Sequence, residues 1–400
     1  MKPVRTMLKS RVVAVFIAFS LLLASPASAL AASTGSNARY FVPSTRAFWR
    51  NAMGARHVFE DGFTADLSDF QLRIAKFAGL RPIPVKKFNI LADVQTVESV
   101  SPTPQTTPSE SVPWGVRAML NDEKLMHTAG GEGVTVAILD TGIDREHPDL
   151  KFRIDGCFDF ADPAKGMVEN SCSDFNGHGT HMAGIIAADG GLKGEGLYGF
   201  APQASISVFR TCNNAGICLS DDIAVAMRKA VDTGAQIIVL GLGGEAESSF
   251  IDDAIAYAKE KEVLVIVAAG NDGPYDDSVD WPARNPLVIS VGALDSEKAA
   301  AEFSSRGINR ITKAYQADEG DIEFAAPGVN IESTFRDGGY AILSGTSMAA
   351  PHIAGVAALL WQKDALYPAQ TTRFLLHGMA EDLLPVGDDG ATGWGMPVEK

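Results

Sequence analysis

Val134-Thr135-Val136-Ala137-Ile138-Leu139-Asp140-Thr141-Gly142 is an almost unbroken apolar run that stops on a carboxylate. A strand covered on both faces of a parallel sheet reads this way, because neither face meets water. Short apolar runs at 206–209, 237–240, 263–269 and 288–291 share its character. Helical patterns separate them. Residues 220–231 follow a serine cap and the acidic pair Asp221-Asp222, 250–259 repeats apolar residues at helical spacing, and 347–361 is apolar on all sides. This alternation, with right-handed crossovers, predicts an α/β domain of three αβα layers around a mostly parallel sheet. In such sheets the working residues gather beyond the carboxyl ends of the strands, where Asp140 and Asn271 fall.

Two further stretches carry chemistry. Gly345-Thr346-Ser347-Met348-Ala349-Ala350-Pro351-His352 sets a serine among small residues at the start of a helix, which exposes its hydroxyl. His178-Gly179-Thr180-His181-Met182-Ala183-Gly184 supplies an imidazole, the side chain that titrates near neutrality. A serine hydroxyl is a weak nucleophile until a base takes its proton, and a carboxylate on the other ring nitrogen steadies the imidazolium that forms. Asp140, His178 and Ser347 stand in one of the known chain orders for such a triad. Asn271, in Ala268-Ala269-Gly270-Asn271-Asp272-Gly273, offers an amide that, with the Ser347 backbone N–H, can donate to a developing oxyanion. An esterase elbow, Gly-x-Ser-x-Gly, is not what surrounds Ser347.

The flanks and the charge set the context. Lys2, Arg5, Lys9 and Arg11 precede an apolar run, and Ala27-Ser28-Ala29 follows it, so residues 1–31 read as a removable export signal rather than a spanning helix. The net charge is −15, but the first 108 residues carry +7 and the remainder −22. Such acidity repels nucleic acid and anionic membranes, neither of which is expected as a partner. Four cysteines, Cys157, Cys172, Cys212 and Cys218, are an even number in an exported chain and predict two disulfides. Three pairings are possible, and closeness favours Cys157 with Cys172 and Cys212 with Cys218. His178 and His181 lack the His-Glu-x-x-His arrangement of a zinc site.

These motifs resemble those of the subtilisin-like serine proteases, and the resemblance runs over residues 112–394. Val112-Pro113-Trp114-Gly115-Val116, Trp281-Pro282-Ala283, Phe303-Ser304-Ser305-Arg306-Gly307 and Ala325-Ala326-Pro327-Gly328-Val329 are similar to further blocks of that family. Gly62-Phe63-Thr64-Ala65-Asp66-Leu67-Ser68 resembles part of its propeptide. The resemblance implies a secreted, monomeric serine endopeptidase acting on polypeptides, with no cofactor for catalysis. It also implies a small α+β propeptide domain at 32–108, acting as folding aid and inhibitor, before a catalytic domain at 109–400. A strand at 39–42, a helix at 67–77 with Leu67, Phe70, Ile74 and Phe77 on one face, and a strand at 83–90 are expected in the propeptide. A Pro, Thr and Ser-rich linker at 101–108 ends it, and the cut is expected within 94–111, near Ser109.

Three points bear on binding. Gly241, Leu242 and Gly243 lie on the strand that pairs with substrate, where the family commonly has serine at the first position. Asp280 aligns with the floor of the pocket for the side chain before the cut, where a carboxylate would favour Lys or Arg. Glu110 and Asp149 align with two ligands of a structural calcium site, against which Lys193 in the neighbouring loop would act by repulsion.

Overall fold

A computed structural model describes residues 38–91, 105–309, 317–383 and 385–400. The export signal and residues 101–104 of the linker lie outside the described residues. The chain divides into two units, Met1–Val85 and Lys86–Lys400.

The described part of the first unit is an antiparallel sheet with two helices. Its strands, β1 (Ala38–Val42), β2 (His57–Val58), β3 (Phe63–Leu67) and β4 (Ile83–Pro84), run in the order β2-β3-β1-β4. Ser68 caps the helix Asp69–Phe77, and Gln71 returns the bond in a capping box, which stops the strand and starts the helix within one residue. Val42, Trp49, Phe63, Leu67 and Ala75 form the core. The sequence pattern placed Phe70 and Phe77 on the buried face, and both are exposed. Ala75 faces the core instead, with Leu72 and Ile74 packed beside it.

The second unit is built on the predicted parallel sheet. In chain order its strands up to residue 327 are β5 (Lys87–Ile90), β6 (Thr135–Asp140), β7 (Ile154–Asp159), β8 (Val168–Glu169), β9 (Ser205–Arg210), β10 (Ile217–Leu219), β11 (Ile237–Leu240), β12 (Leu242–Gly243), β13 (Leu264–Ala268), β14 (Ile289–Leu294) and β15 (Phe324–Pro327). Eight of these form one sheet in the order β15-β14-β13-β11-β6-β9-β7-β8, parallel except for β8. All five apolar runs read from the sequence lie in it, and β7, β8 and β15 are additional. The alternation of side chains explains why those runs are continuous. Val136, Ile138, Ile237 and Val239 pack with Met182, Ile186 and Ile353 of the helices His178–Ala187 and Thr346–Leu360. Ala137, Leu139, Ile238 and Leu240 pack on the opposite face with Ile223, Met227, Ile251 and Ile255 of Ser220–Asp232 and Ser249–Glu260. Ser220 is the first residue of its helix and not the cap, a place taken by Leu219.

The residues expected to form one strand at 83–90 divide between the units. β5 instead forms a second sheet, β10-β5-β12, antiparallel to both neighbours. Both disulfides follow the pairing that closeness favoured, Cys157 with Cys172 and Cys212 with Cys218. The second closes the hairpin that carries β10.

One buried ion pair secures the last helix. Glu323 accepts from Arg373 Nε at 2.8 Å and Nη2 at 2.5 Å, and lies 2.9 Å from His377 Nε2. Burial alone would push its carboxyl up, but Arg373 and the bond to His377 outweigh that and hold it below the ordinary range. Its contribution to stability is therefore present above pH about 4 and lost as the pH falls. In a Ser347→Ala background, Arg373→Met should lower stability to urea by about 3–5 kcal/mol, because it strands a buried charge. Adding Glu323→Gln should recover most of the loss, and an unchanged midpoint in the single variant would contradict this assignment.

Candidate active site

The register of the central strands puts the site residues on one edge. Leu139, Leu240 and Val267 lie side by side across β6, β11 and β13. Asp140, Gly241 and Ala268 therefore stand at one level at the carboxyl end of these strands, and Asn271 follows Ala268 by three residues. Two helices begin over that edge, each after a glycine in the left-handed region, Gly177 at φ 108° and Gly345 at φ 151°. A side chain there would be strained, so glycine lets the chain turn sharply into each helix.

The three side chains form a continuous hydrogen-bonded line. His178 Nδ1 is 2.7 Å from Asp140 Oδ1, and His178 Nε2 is 2.9 Å from Ser347 Oγ. All three residues are buried. Asp140 Oδ1 also accepts the Thr141 N–H at 2.7 Å. With Nδ1–H given to Asp140, Nε2 is left as an acceptor for the serine proton. The neighbouring imidazoles do not compete for it. Burial, then the proximity of His178, pulls His181 down to about 3, and burial pulls His352 down to about 4.

Sequence reasoning missed several supports. Asp174 accepts from Thr141 Oγ1, the Gly177 N–H and the Thr180 N–H and hydroxyl, tying the loop before His178 to the turn after Asp140. Thr346 donates its N–H and its hydroxyl to Asn271 Oδ1, both at 3.0 Å. Two donors on that oxygen fix the amide so that Nδ2 faces the serine.

A backbone carbonyl of the same chain lies against Ser347 and Asn271. Leu91 O accepts from Asn271 Nδ2 at 2.6 Å and lies 2.8 Å from Ser347 Oγ. The Ser347 N–H, expected as the second donor, is not bonded to it. The strand β5 that precedes Leu91 pairs Ile90 with Leu242 and Asn89 with Gly243, and the Leu91 N–H donates to Gly241 O at 2.9 Å. Ser109, near which the cut was expected, is held elsewhere: its N–H and hydroxyl donate to Glu332 at 2.8 Å and 2.5 Å.

Asp280 is also at this end. It is 6% exposed, and a Cβ built on Gly243 would lie 2.7 Å from its Oδ2 and 2.9 Å from Leu91 Cδ1. Glu110 and Asp149, the two expected calcium ligands, each have protein partners. Glu110 is bound by Arg117 Nη2 at 2.6 Å, and Asp149 Oδ2 accepts from the Leu197 N–H at 2.9 Å and the Tyr340 hydroxyl at 2.7 Å. Lys151 and Lys193 line the same cavity as Asp149. Both carboxylates are thus engaged by protein donors, and Glu195 lines the same cavity beside the two lysines.

Residues 131–395 match the Subtilase family. The chain belongs to the subtilase family. It is 38% identical over 356 residues to Subtilisin of Bacillus sp. (strain TA39), covering 84% of this chain and 83% of that one. It is 39% identical over 254 residues to an Intracellular serine protease of Paenibacillus polymyxa, covering 63% of this chain and 73% of the relative. Among solved structures, Sphericase superposes with a TM-score of 0.70 at 39% identity, covering 73% of this chain and all of that one. S41 Psychrophilic Protease gives 0.69 at 40% identity and covers 74% and 100%. This subtilase is a serine endopeptidase acting on polypeptides, a reaction that needs no catalytic cofactor.

Gly241 of this subtilase has a packing reason. A Cβ there would lie 2.5 Å from Met182 Sδ and 3.0 Å from His178 Cε1, and Met182 is fully buried. Overpacking costs about 1–3 kcal/mol, which at the imidazole corresponds to a fall of roughly 5- to 150-fold in kcat/KM. Gly241→Ser should show that loss on a peptide substrate, and Met182→Val should restore most of it in the double variant. Equal activity in Gly241→Ser and wild type would sink this explanation.

Proposed function

We propose that this subtilase is exported as a zymogen that cuts its own chain at Leu91–Ala92, and that the segment ending at Leu91 then acts as a product inhibitor. The observation that carries this reading is the Leu91 carbonyl, which touches both Asn271 Nδ2 and Ser347 Oγ. The proposed boundary between propeptide and catalytic domain thus moves from 108/109 to 91/92. The N-terminal charge and apolar pattern support export, and no helix among the described residues is long and apolar enough to cross a membrane. The four site residues belong to one chain, which supports action as a monomer.

The proposed chemistry follows from the line of contacts. His178 Nε2 takes the Ser347 proton as Oγ bonds to the carbonyl carbon of the scissile bond, and the imidazolium is steadied by Asp140. The carbonyl oxygen becomes an oxyanion, which Asn271 Nδ2 stabilises from a position fixed by Thr346. His178 then returns the proton to the leaving nitrogen as the C–N bond breaks, leaving an ester on Ser347. Water, deprotonated by the same imidazole, attacks that ester, and the reverse transfer frees the serine and a carboxylic acid. β5 supplies the ground-state binding, as an added strand between β10 and β12. While it stays there, no other peptide can pair with 241–243.

Expressed in a protease-free background, wild type should mature and degrade casein, whereas Ser347→Ala should accumulate as full precursor with no caseinolysis. Equal processing of the two would overturn the proposal.

A further inference from the structure

Asp280 is a buried acid with no counter-charge. Its backbone is fixed, with its N–H bonded to Ala269 O at 2.8 Å and its carbonyl accepting the Arg284 N–H at 3.1 Å. Its carboxyl makes no hydrogen bond among the described residues. Side chains at Gly243 and Gly270 would run into it, at 2.7 Å and 3.0 Å from Oδ2, so two glycines leave the carboxyl facing the space that Leu91 enters. Leu91 Cδ1 lies against the same missing Cβ of Gly243, at 2.9 Å. The terminal methyl of the bound leucine and the carboxyl are thus neighbours across one glycine.

An apolar methyl beside a buried carboxylate is a poor match, and beside a neutral carboxylic acid an acceptable one. Lys places its ammonium two bonds beyond Cδ, and Arg its guanidinium nitrogens three bonds beyond it. Either would carry a cation from the leucine position towards Asp280. We propose that Asp280 makes this pocket a proton-gated selector, which accepts an apolar side chain when Asp280 is protonated and Lys or Arg when it is ionised. This rests on the reading of Leu91 as the residue before the cut.

The charges around Asp280 place the gate within the working range of a histidine-dependent enzyme. Burial, then the negative charges of Asp272 and Glu245, pushes its carboxyl up to about 7. Both groups that act on it are acidic, and among the described residues no basic side chain offsets them. Below neutrality the pocket is therefore uncharged, and above it carries a buried negative charge that a substrate cation would neutralise.

The test uses two chromogenic peptides that differ only in leucine or arginine before the cut, assayed between pH 5.5 and 9.5. Arginine stays charged throughout. Titration of His178 affects both substrates alike and cancels in the ratio of their kcat/KM values. In wild type the arginine-to-leucine ratio should rise at least about tenfold across neutrality and then level off. In Asp280→Asn it should be flat and favour leucine, and Asp280→Ser serves if the first variant does not fold. A flat ratio in wild type, or an equal rise in a folded Asp280 variant, would overturn the selector while leaving the protease reading intact. Turnover of neither peptide by matured wild type would instead remove the reading on which it rests.

Discussion

The common register of β6, β11 and β13 is the constraint on which the site depends. Each strand is packed on both faces, so its position along the sheet is set by side chains that cannot shift without moving from one helical layer to the other. Three separate stretches of chain consequently end at one level. Asp140, the segment 241–243 and Asn271 are brought to that level, and the two helices bring His178 and Ser347 to meet them. The geometry of the triad is a property of the sheet before it is a property of the triad residues.

Burial does a second task at this edge, which is to sort the ionisable groups. His181 Nε2 faces the carbonyls of Ile331 and Ala341, and His352 Nδ1 faces that of Met348. Both rings are sealed in as neutral donors, so His178 alone among them is joined to a carboxylate and a hydroxyl. Similar burial leaves the Asp280 carboxyl without a hydrogen-bond partner among the described residues. A carboxylate that is paired, as Asp140 is, holds the His178 ring in place through its Nδ1. One that is unpaired becomes sensitive to what enters the pocket.

Much of this was legible in the sequence, for physical reasons. The five apolar runs are long enough and flanked clearly enough to be strands, and the triad and Asn271 sit at the strand and helix ends where the chain pattern puts them. The disulfides followed because short loops leave little choice of partner. What failed depended on contacts between distant residues. A strand at 83–90 looked continuous, but its halves pair with different sheets, and pairing partners are not written in a local pattern. Phe70 and Phe77 share a helix face with Ile74, yet both are exposed and Ala75 is the helix residue that enters the core. Glu110 lost its expected role to Arg117, seven residues away, and Gly241 became intelligible only with Met182 beside it.

The central claim is that the Leu91 carbonyl marks the bond the enzyme first cuts. It is tested most directly by the amino-terminal residue of the catalytic chain, read by mass spectrometry at the earliest time of maturation in a protease-free host. Ala92 is expected, with Leu91 as the new carboxyl terminus of the released segment. A first cut next to Ser109, with residues 92–108 still joined to the propeptide, would contradict it.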